Sequence, residues 1–459
     1  MEREVTVTID TATPADSATA DDAPRSTTDT ATAAVARARA AFPGWAATPP
    51  AERGALLRAA AHRVADREEE LAALNTDETG KPAGDALGGV RAGVDTLLQY
   101  AELGPLHRGK SLRGGALNVD LALPHPRGVV LALTPWNDPV AVAAGMLGAA
   151  IVSGDVVVHK PSERSPGTGA LFTRILAEAL PEGVLTLVEG DGAVGDALAR
   201  TEGVAVLAHV GSTATGRALA RVAAVTGAHV ILENGGNDAL VVDADVDPVW
   251  AAEQAALGAF ANAGQICTSV ERIYVHRAVA DAFTAALVAE ADRWSAGPLP
   301  RLVDARMRDA VHEHVTEALG AGARALTGGE PGDGTFYPAT VLADCTDEML
   351  VMTEETFGPV APIVVVDDFD EALLRAAASP YGLAATVLTA DMEHAHRAAA
   401  ALPVGTVKIN AVFGGAPGGS AQPRGTSGSG FGYGPELLDE MTTTTVVHFG
   451  LPVLPGGAR

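Results

Sequence analysis

Cysteine is nearly absent from this 459-residue chain, which has two, Cys267 and Cys345. Two cysteines build no disulfide framework, so a reducing, cytoplasmic setting is expected. Aromatic residues make up only 4 %, and Lys plus Arg number 32 against 57 for Asp plus Glu, a formal net charge of −25. A surface of that sign repels phosphate backbones and anionic lipid, so neither nucleic acid nor a membrane is expected as a partner. An anionic cofactor would need locally placed basic residues. No apolar run is long enough to span a bilayer, and the Thr/Ala/Asp-rich stretch 1–28 lacks a secretory core and reads as a flexible N-terminus. Metal-binding patterns of the HExxH or CxxC kind are missing too. The pairs His312/His314 and His394/His396 stand two apart in helical runs and face different ways, so no metal is expected.

What is abundant is Ala, Val and Gly: hydrophobic residues reach 47 % and glycine 51 positions. Ala-rich helices packed on Val-rich strands make an α/β protein. At about 150 residues per domain the length allows two or three domains. Residues 31–102 carry a helical period and 108–126 an extended hairpin pattern. Five short β runs follow, at 128–135, 155–161, 184–190, 204–211 and 229–235, separated by helices. That alternation reads as a doubly wound parallel sheet of Rossmann-like type. A second α/β unit is expected from about residue 236, beginning with helix 248–263 and strand 269–276. The tail 442–452 is β-prone, and the Gly/Ser-rich stretch 414–434 reads equally as a linker or a mobile loop.

Several strand ends carry chemistry. GDGAVG (190–195) and GSTATG (211–216) both follow a strand and open a helix, where backbone N–H groups could cradle phosphate. The first matches GxGxxG literally, but in so glycine-rich a chain the match is cheap, and no acidic residue follows at the usual spacing. KPSE (160–163) brings Lys160 and Glu163 off an apolar strand, a donor and an acceptor suited to ribose hydroxyls or merely a solvated strand end. NAGQICTS (262–269) sets Cys267 among polar neighbours and flexible backbone, which suits a nucleophile, whereas Cys345 reads as a small buried hydrophobe. LENGG (232–236) offers Glu233 as a general base, and TPWNDP (134–139) offers the Asn137 amide as an oxyanion donor.

Taken in order, TPWN, KPSE, GSTxxG, LExGG, GQxC, EETFGPV (354–360) and SGxG (427–430), with ETGKP (78–82) ahead of them, resemble the aldehyde dehydrogenase superfamily over about residues 30–450. The resemblance implies a hydrolytic, NAD(P)-dependent enzyme in which Cys267 is the nucleophile, Glu233 the general base and Asn137 the oxyanion-hole amide. It implies cofactor contacts at Pro135, Trp136, Lys160, Glu163, Gly211, Ser212, Gly216, Glu355 and Phe357. NAD is favoured over NADP, since the Glu163 carboxylate would repel a 2′-phosphate. The implied organisation is an NAD(P)-binding domain (29–107 and 127–235), a catalytic domain (236–441) and a β-hairpin oligomerisation arm (108–126 with 442–452). A homodimer or homotetramer follows.

Departures from the family pattern bear on the substrate. Asn234 stands where an apolar residue is usual, Asn237 where lysine is frequent, Asp138 where an aromatic is common, and Ala421 where a tunnel phenylalanine often sits. The segment after Cys267 is also shorter than the family's around 294–302. These imply a wider, more polar tunnel, suited to a polar, semialdehyde or amine-bearing substrate. Rival readings are an acylating relative that uses coenzyme A, against which Glu233 argues, a non-enzymatic binding or structural relative, and a cysteine esterase.

Overall fold

The computed structural model describes residues 28–115, 118–297, 299–414 and 421–451. The expected flexible N-terminus and the centre of the 414–426 loop lie outside these residues. Four helices open the described chain, Thr28–Ala47, Pro50–Ala65, Glu68–Thr79 and Ala83–Leu103. Their small apolar faces (Ala60, Ala61, Leu71, Val90, Leu97) are buried in the core that surrounds the first of the two large sheets.

That sheet runs in the order Gly428–Ser429, His229–Glu233, Val204–Val210, Val129–Leu133, Val156–Lys160, Leu185–Leu187. The five strands from 129 to 233 are parallel, and the short Gly428–Ser429 strand runs antiparallel to His229–Glu233. The chain builds outward from Val129–Leu133 in one direction and then returns to build in the other. The carboxyl ends of Val129–Leu133 and Val204–Val210 therefore flank a topological switch point, where ligands bind in open sheets of this kind. TPWN leaves the first of those ends and GSTATG the second.

The second sheet has seven strands, ordered Arg324–Thr327, Thr340–Ala343, Val360–Val366, Val270–His276, Asp238–Val242, Ala384–Leu388, Thr406–Ile409. All pairs are parallel except Arg324–Thr327 on Thr340–Ala343. Each sheet has its own apolar core, one centred on residues such as Val130, Leu147 and Phe172, the other on Leu240, Phe260 and Phe283. The sequence reading did not anticipate Asp238–Val242, Arg324–Thr327 or Thr340–Ala343. One placement needs correction. The stretch from Gly428 to Met441, assigned to the second unit by its position in the chain, returns to the first. Gly428 pairs with Glu233, and Leu437, Leu438 and Met441 are buried in the first core.

The expected hairpin and tail form a separate three-stranded antiparallel sheet, Lys110–Leu112, Val119–Pro126 and Thr442–Phe449. Val119, Val446 and Phe449 on it are exposed. Among the described residues, no helix is long and apolar enough to cross a membrane, and no group of three or more His, Cys, Asp or Glu could hold a metal ion.

Candidate active site

Glu233 ends a strand of the first sheet and Asp238 begins a strand of the second, so Asn234–Asn237 is the bridge between the sheets. The candidate residues gather around this bridge. Cys267 precedes strand Val270–His276, on a loop whose shape comes from its own polar groups. Asn262 and Ala263 adopt left-handed backbone, φ 49° and 54°, which L-residues hold only when their surroundings impose it. Here the imposing contacts are visible. Asn262 Nδ2 donates to the Gln265 carbonyl at 3.2 Å, Gln265 Nε2 donates to the Asn262 carbonyl at 3.0 Å, and Ser269 Oγ donates to the Gly264 carbonyl at 3.1 Å.

Cys267 is a free, half-buried thiol, whereas Cys345 is buried in the second core. Burial pushes the Cys267 thiol well up from its ordinary value, and the carboxylates of Glu233, Asp238 and Glu355 push it further. Lys408 acts the other way. The Asn137 amide donates to the Gln265 carbonyl at 3.1 Å, which ties the TPWN loop to the cysteine loop. Glu233 is half-buried, and desolvation raises its carboxyl above the usual range. A Cβ at Gly432 would lie 2.3 Å from Glu233 Oε2, so this carboxylate occupies space that only a glycine there leaves free.

Lys81, from ETGKP, is buried and donates to the Asn137 carbonyl at 3.3 Å. Its Nζ is also 3.5 Å from Asp138 Oδ1. The Asp138 side chain keeps 35 % of its exposure, but much of its charge is already matched by Lys81. The ring of Tyr433 packs against Gly145, where a Cβ would come 2.7 Å from Cε2, and its hydroxyl bonds Thr96 Oγ1. Tyr433 feels both Asp138 and Glu233, and sequence reading had passed over it.

Lys160 and Glu163, with Gly211, Ser212 and Gly216, leave the carboxyl ends of two strands beside the switch point. Lys160 is buried with its Nζ 3.5 Å from Glu163 Oε2. Ser212 caps helix Thr213–Thr226, its Oγ accepting from Thr215 N at 3.3 Å, and Gly211 N donates to the Glu233 carbonyl at 3.1 Å. Two buried polar atoms at this turn have no protein partner, His209 Nδ1 and Thr213 Oγ1, which fits a site built to receive a polar ligand. At GDGAVG the opposite holds. The Asp191 carboxylate accepts from Ala193 N at 3.1 Å and Val194 N at 3.4 Å, so that helix N-terminus is filled by an anion of the chain's own.

Pro135 is half-buried, and the Trp136 ring beside it meets Phe357 edge-on at 5.8 Å. The Arg164 guanidinium lies 5.8 Å over the same Trp136 ring and pairs with Asp304 at 3.1 Å. Glu355 accepts from Gly236 N at 3.1 Å. The EETFG turn is held from behind by Glu271, which sequence reading also missed. Its carboxylate accepts from Thr356 N at 3.0 Å, Phe357 N at 2.8 Å and Asn237 Nδ2 at 3.1 Å. Asn237, where lysine was looked for, is therefore part of this scaffold. An alternating strand pattern gives no sign of such a role. The signal would have been a glutamate and an arginine, Glu271 and Arg272, adjacent in an apolar run.

Gly216 has a role that can be tested. A Cβ there would lie 1.9 Å from Asn234 Oδ1. Asn234 is itself fixed through Nδ2 on the Thr426 carbonyl at 3.0 Å. Gly216→Ala should therefore push helix Thr213–Thr226 off the bridge, costing about 1–3 kcal/mol as overpacking does. Thermal melting should show the loss, and the double variant Gly216→Ala/Asn234→Ala should recover most of it. Equal destabilisation in single and double variants would show that Asn234 is not what Gly216 makes room for.

The profile of the aldehyde dehydrogenase family matches residues 2–447. A betaine aldehyde dehydrogenase of Cereibacter sphaeroides is 38 % identical over 394 residues, covering 83 % of this chain and 81 % of the relative. The crystal structure of an NAD-dependent aldehyde dehydrogenase from Sinorhizobium meliloti superposes with a TM-score of 0.90 at 33 % identity, covering 94 % of this chain and 89 % of that one. An NADP-dependent enzyme of E. coli superposes with a TM-score of 0.90 at 31 % identity, covering 93 % and 92 %.

Proposed function

The chain belongs to the aldehyde dehydrogenase family of oxidoreductases, and on that premise we propose that it oxidises a polar aldehyde to the carboxylic acid, with Cys267 as nucleophile and Glu233 as hydrolytic base. The carrying observation is the convergence at the bridge. The Asn137 amide is tied to the cysteine loop, and the charge of the Glu233 carboxylate bears on the Cys267 thiol.

Lys160 and Glu163 would hold the adenine ribose, Gly211 and Ser212 the pyrophosphate, and Glu355 with Phe357 the nicotinamide end. When bound, the dinucleotide supplies the hydride acceptor. The chain's own residues do the rest. The Cys267 thiolate adds to the aldehyde carbon, and Asn137 Nδ2 donates to the oxygen that becomes negative. Collapse of that thiohemiacetal, with loss of hydride, leaves a thioester on Cys267. Glu233 then takes a proton from water as the water attacks the thioester carbon, and the acid leaves with the thiol restored. Lys81 holds the Asn137 carbonyl and so the orientation of the amide. The retained Glu233 supports hydrolysis over acyl transfer to coenzyme A.

Glu163 is nearly half exposed beside Lys160, which supports NAD over NADP. The exposed Val119, Val446 and Phe449 of the three-stranded sheet support pairing with a second copy of the chain. The test is reduced-cofactor formation at 340 nm without coenzyme A, with betaine aldehyde, succinic semialdehyde, an aminoaldehyde, benzaldehyde and hexanal. Turnover with NAD that favours the polar aldehydes is the expected result. A marked preference for hexanal would overturn the polar-substrate reading, and turnover only with coenzyme A would overturn hydrolysis.

A further inference from the structure

Lysine is rare in this chain, with four residues, Lys81, Lys110, Lys160 and Lys408, against 28 arginines. Lys110 lies on the exposed Lys110–Leu112 strand. Lys81 and Lys160 are paired with Asp138 and Glu163. Lys408 has no such partner. Its Nζ donates to the neutral Val412 carbonyl at 2.7 Å and lies 5.5 Å from the centre of the Phe413 ring, with no carboxylate at ion-pair distance among the described residues. The neighbouring segment 415–420 carries no acidic residue that could supply one. A half-buried ammonium left without a counter-ion needs a reason, because its desolvation is not offset by a contact pair.

The sheet register supplies one. Thr386 lies opposite Leu240 on one side and Lys408 on the other, so these three residues share a face. Asp238 stands two residues before Leu240 and belongs to that face as well. Asp238 is buried, its Oδ1 accepting from Ala384 N at 3.1 Å while Oδ2 has no partner. It also lies hard against the nucleophile's loop: at Gly236, a Cβ would stand 2.8 Å from Asp238 Oδ1 and 2.4 Å from the Cys267 carbonyl oxygen. The face that carries Asp238 and Lys408 thus abuts the cysteine loop at Gly236.

We propose that Lys408 is a positioning residue for the nucleophile, its ammonium favouring the Cys267 thiolate against the acidic groups that surround it, and so setting the pH at which the site becomes reactive. This rests on the reading of Cys267 as nucleophile. Among the described residues, Glu233, Asp238 and Glu355 act most strongly against the Cys267 thiolate, and Lys408 acts for it. The influence is mutual, since Asp238 and Cys267 both favour the charged form of Lys408, while burial opposes it. Without Lys408 the nucleophile would keep the three carboxylates and lose the cation that opposes them.

The test needs no turnover. Iodoacetamide alkylation of Cys267 is followed by mass spectrometry across pH in the full chain, with the buried Cys345 as internal reference. Lys408→Met should move the midpoint of Cys267 alkylation upward by about one pH unit, roughly a tenfold slower reaction at a pH below it. Lys408→Arg should restore the parent profile. Asp238→Asn should move the midpoint downward, and it carries the test alone if Lys408→Met does not fold. A purely structural role for these residues would not give shifts of opposite sign. An unmoved midpoint in Lys408→Met, or in Asp238→Asn where only that variant folds, overturns the inference. If Cys267→Ala still turns over aldehyde, it is the nucleophile assignment that fails; if that variant is dead but the alkylation profile is indifferent to Lys408, only the present inference does.

Discussion

Cys267→Ala should lower aldehyde-dependent NADH formation by at least about 10⁴-fold, as loss of a covalent nucleophile does when nothing can replace it. Nothing nearby can. Cys345, the other thiol, is packed in the second core with its Sγ directed at the Leu342 carbonyl. The variant should still fold, because the polar contacts that shape the loop belong to Asn262, Gln265 and Ser269 rather than to the thiol. Binding of NAD, read by calorimetry, should be little changed, since the residues assigned to the dinucleotide lie along Lys160, Ser212 and Glu355. Loss of turnover with retained NAD binding is therefore the informative pair of results. Turnover that survives in the alanine variant would exclude covalent catalysis at this position.

The strand-end motifs were readable because chemistry at the carboxyl edge of a parallel sheet sits where apolar runs stop. TPWN, KPSE and GST each leave an uninterrupted β run, so the first sheet and its groove could be drawn from pattern alone. GDGAVG shows the limit of pattern. The same helix-opening geometry is present, but Asp191 already satisfies the N–H groups that a phosphate would need. The second sheet was harder to read. Asp238–Val242 is bounded by buried carboxylates, Asp238 and Asp243, which look like loop in a sequence. Arg324–Thr327 is a short, largely exposed edge with no apolar face to betray it. Glu271 and Lys408 are charged residues inside strands, and alternation alone turns such residues outward. The placement of Glu271 depends on groups far along the chain, the N–H groups of Thr356 and Phe357, and that of Lys408 on the turn after its strand, where the Val412 carbonyl accepts from its Nζ. The return of Gly428–Met441 to the first sheet is likewise a tertiary event, decided by the free edge of His229–Glu233 and by room for Leu437 and Leu438 in that core.

Glu233→Gln should separate the two halves of the reaction. The amide fills the same space, which matters because a Cβ at Gly432 would already lie 2.3 Å from Glu233 Oε2 and larger changes would alter the packing. It cannot take a proton from water. Acylation of Cys267 should survive, and hydrolysis should slow by about 10²–10⁴-fold, the usual worth of a general base. The signature is one equivalent of NADH per active site in a rapid phase, followed by slow turnover, with the acyl group found on Cys267 by mass spectrometry. Steady-state loss without that burst would mean Glu233 acts before the thioester, on the thiol itself. The stability of the variant gives an independent check of sign. Burial raises the Glu233 carboxyl, so the folded state holds its proton more tightly than the unfolded chain does. Its contribution to folding is therefore most favourable below the unfolded carboxyl range and falls as pH rises through the folded value. Removing the ionisable group should raise the melting temperature relative to the parent near pH 8 and leave it nearly unchanged near pH 4. An enzyme that loses hydrolysis while gaining stability at the same pH has a base held in its active site at a cost to the fold, as expected of a desolvated carboxylate kept for reaction rather than for packing.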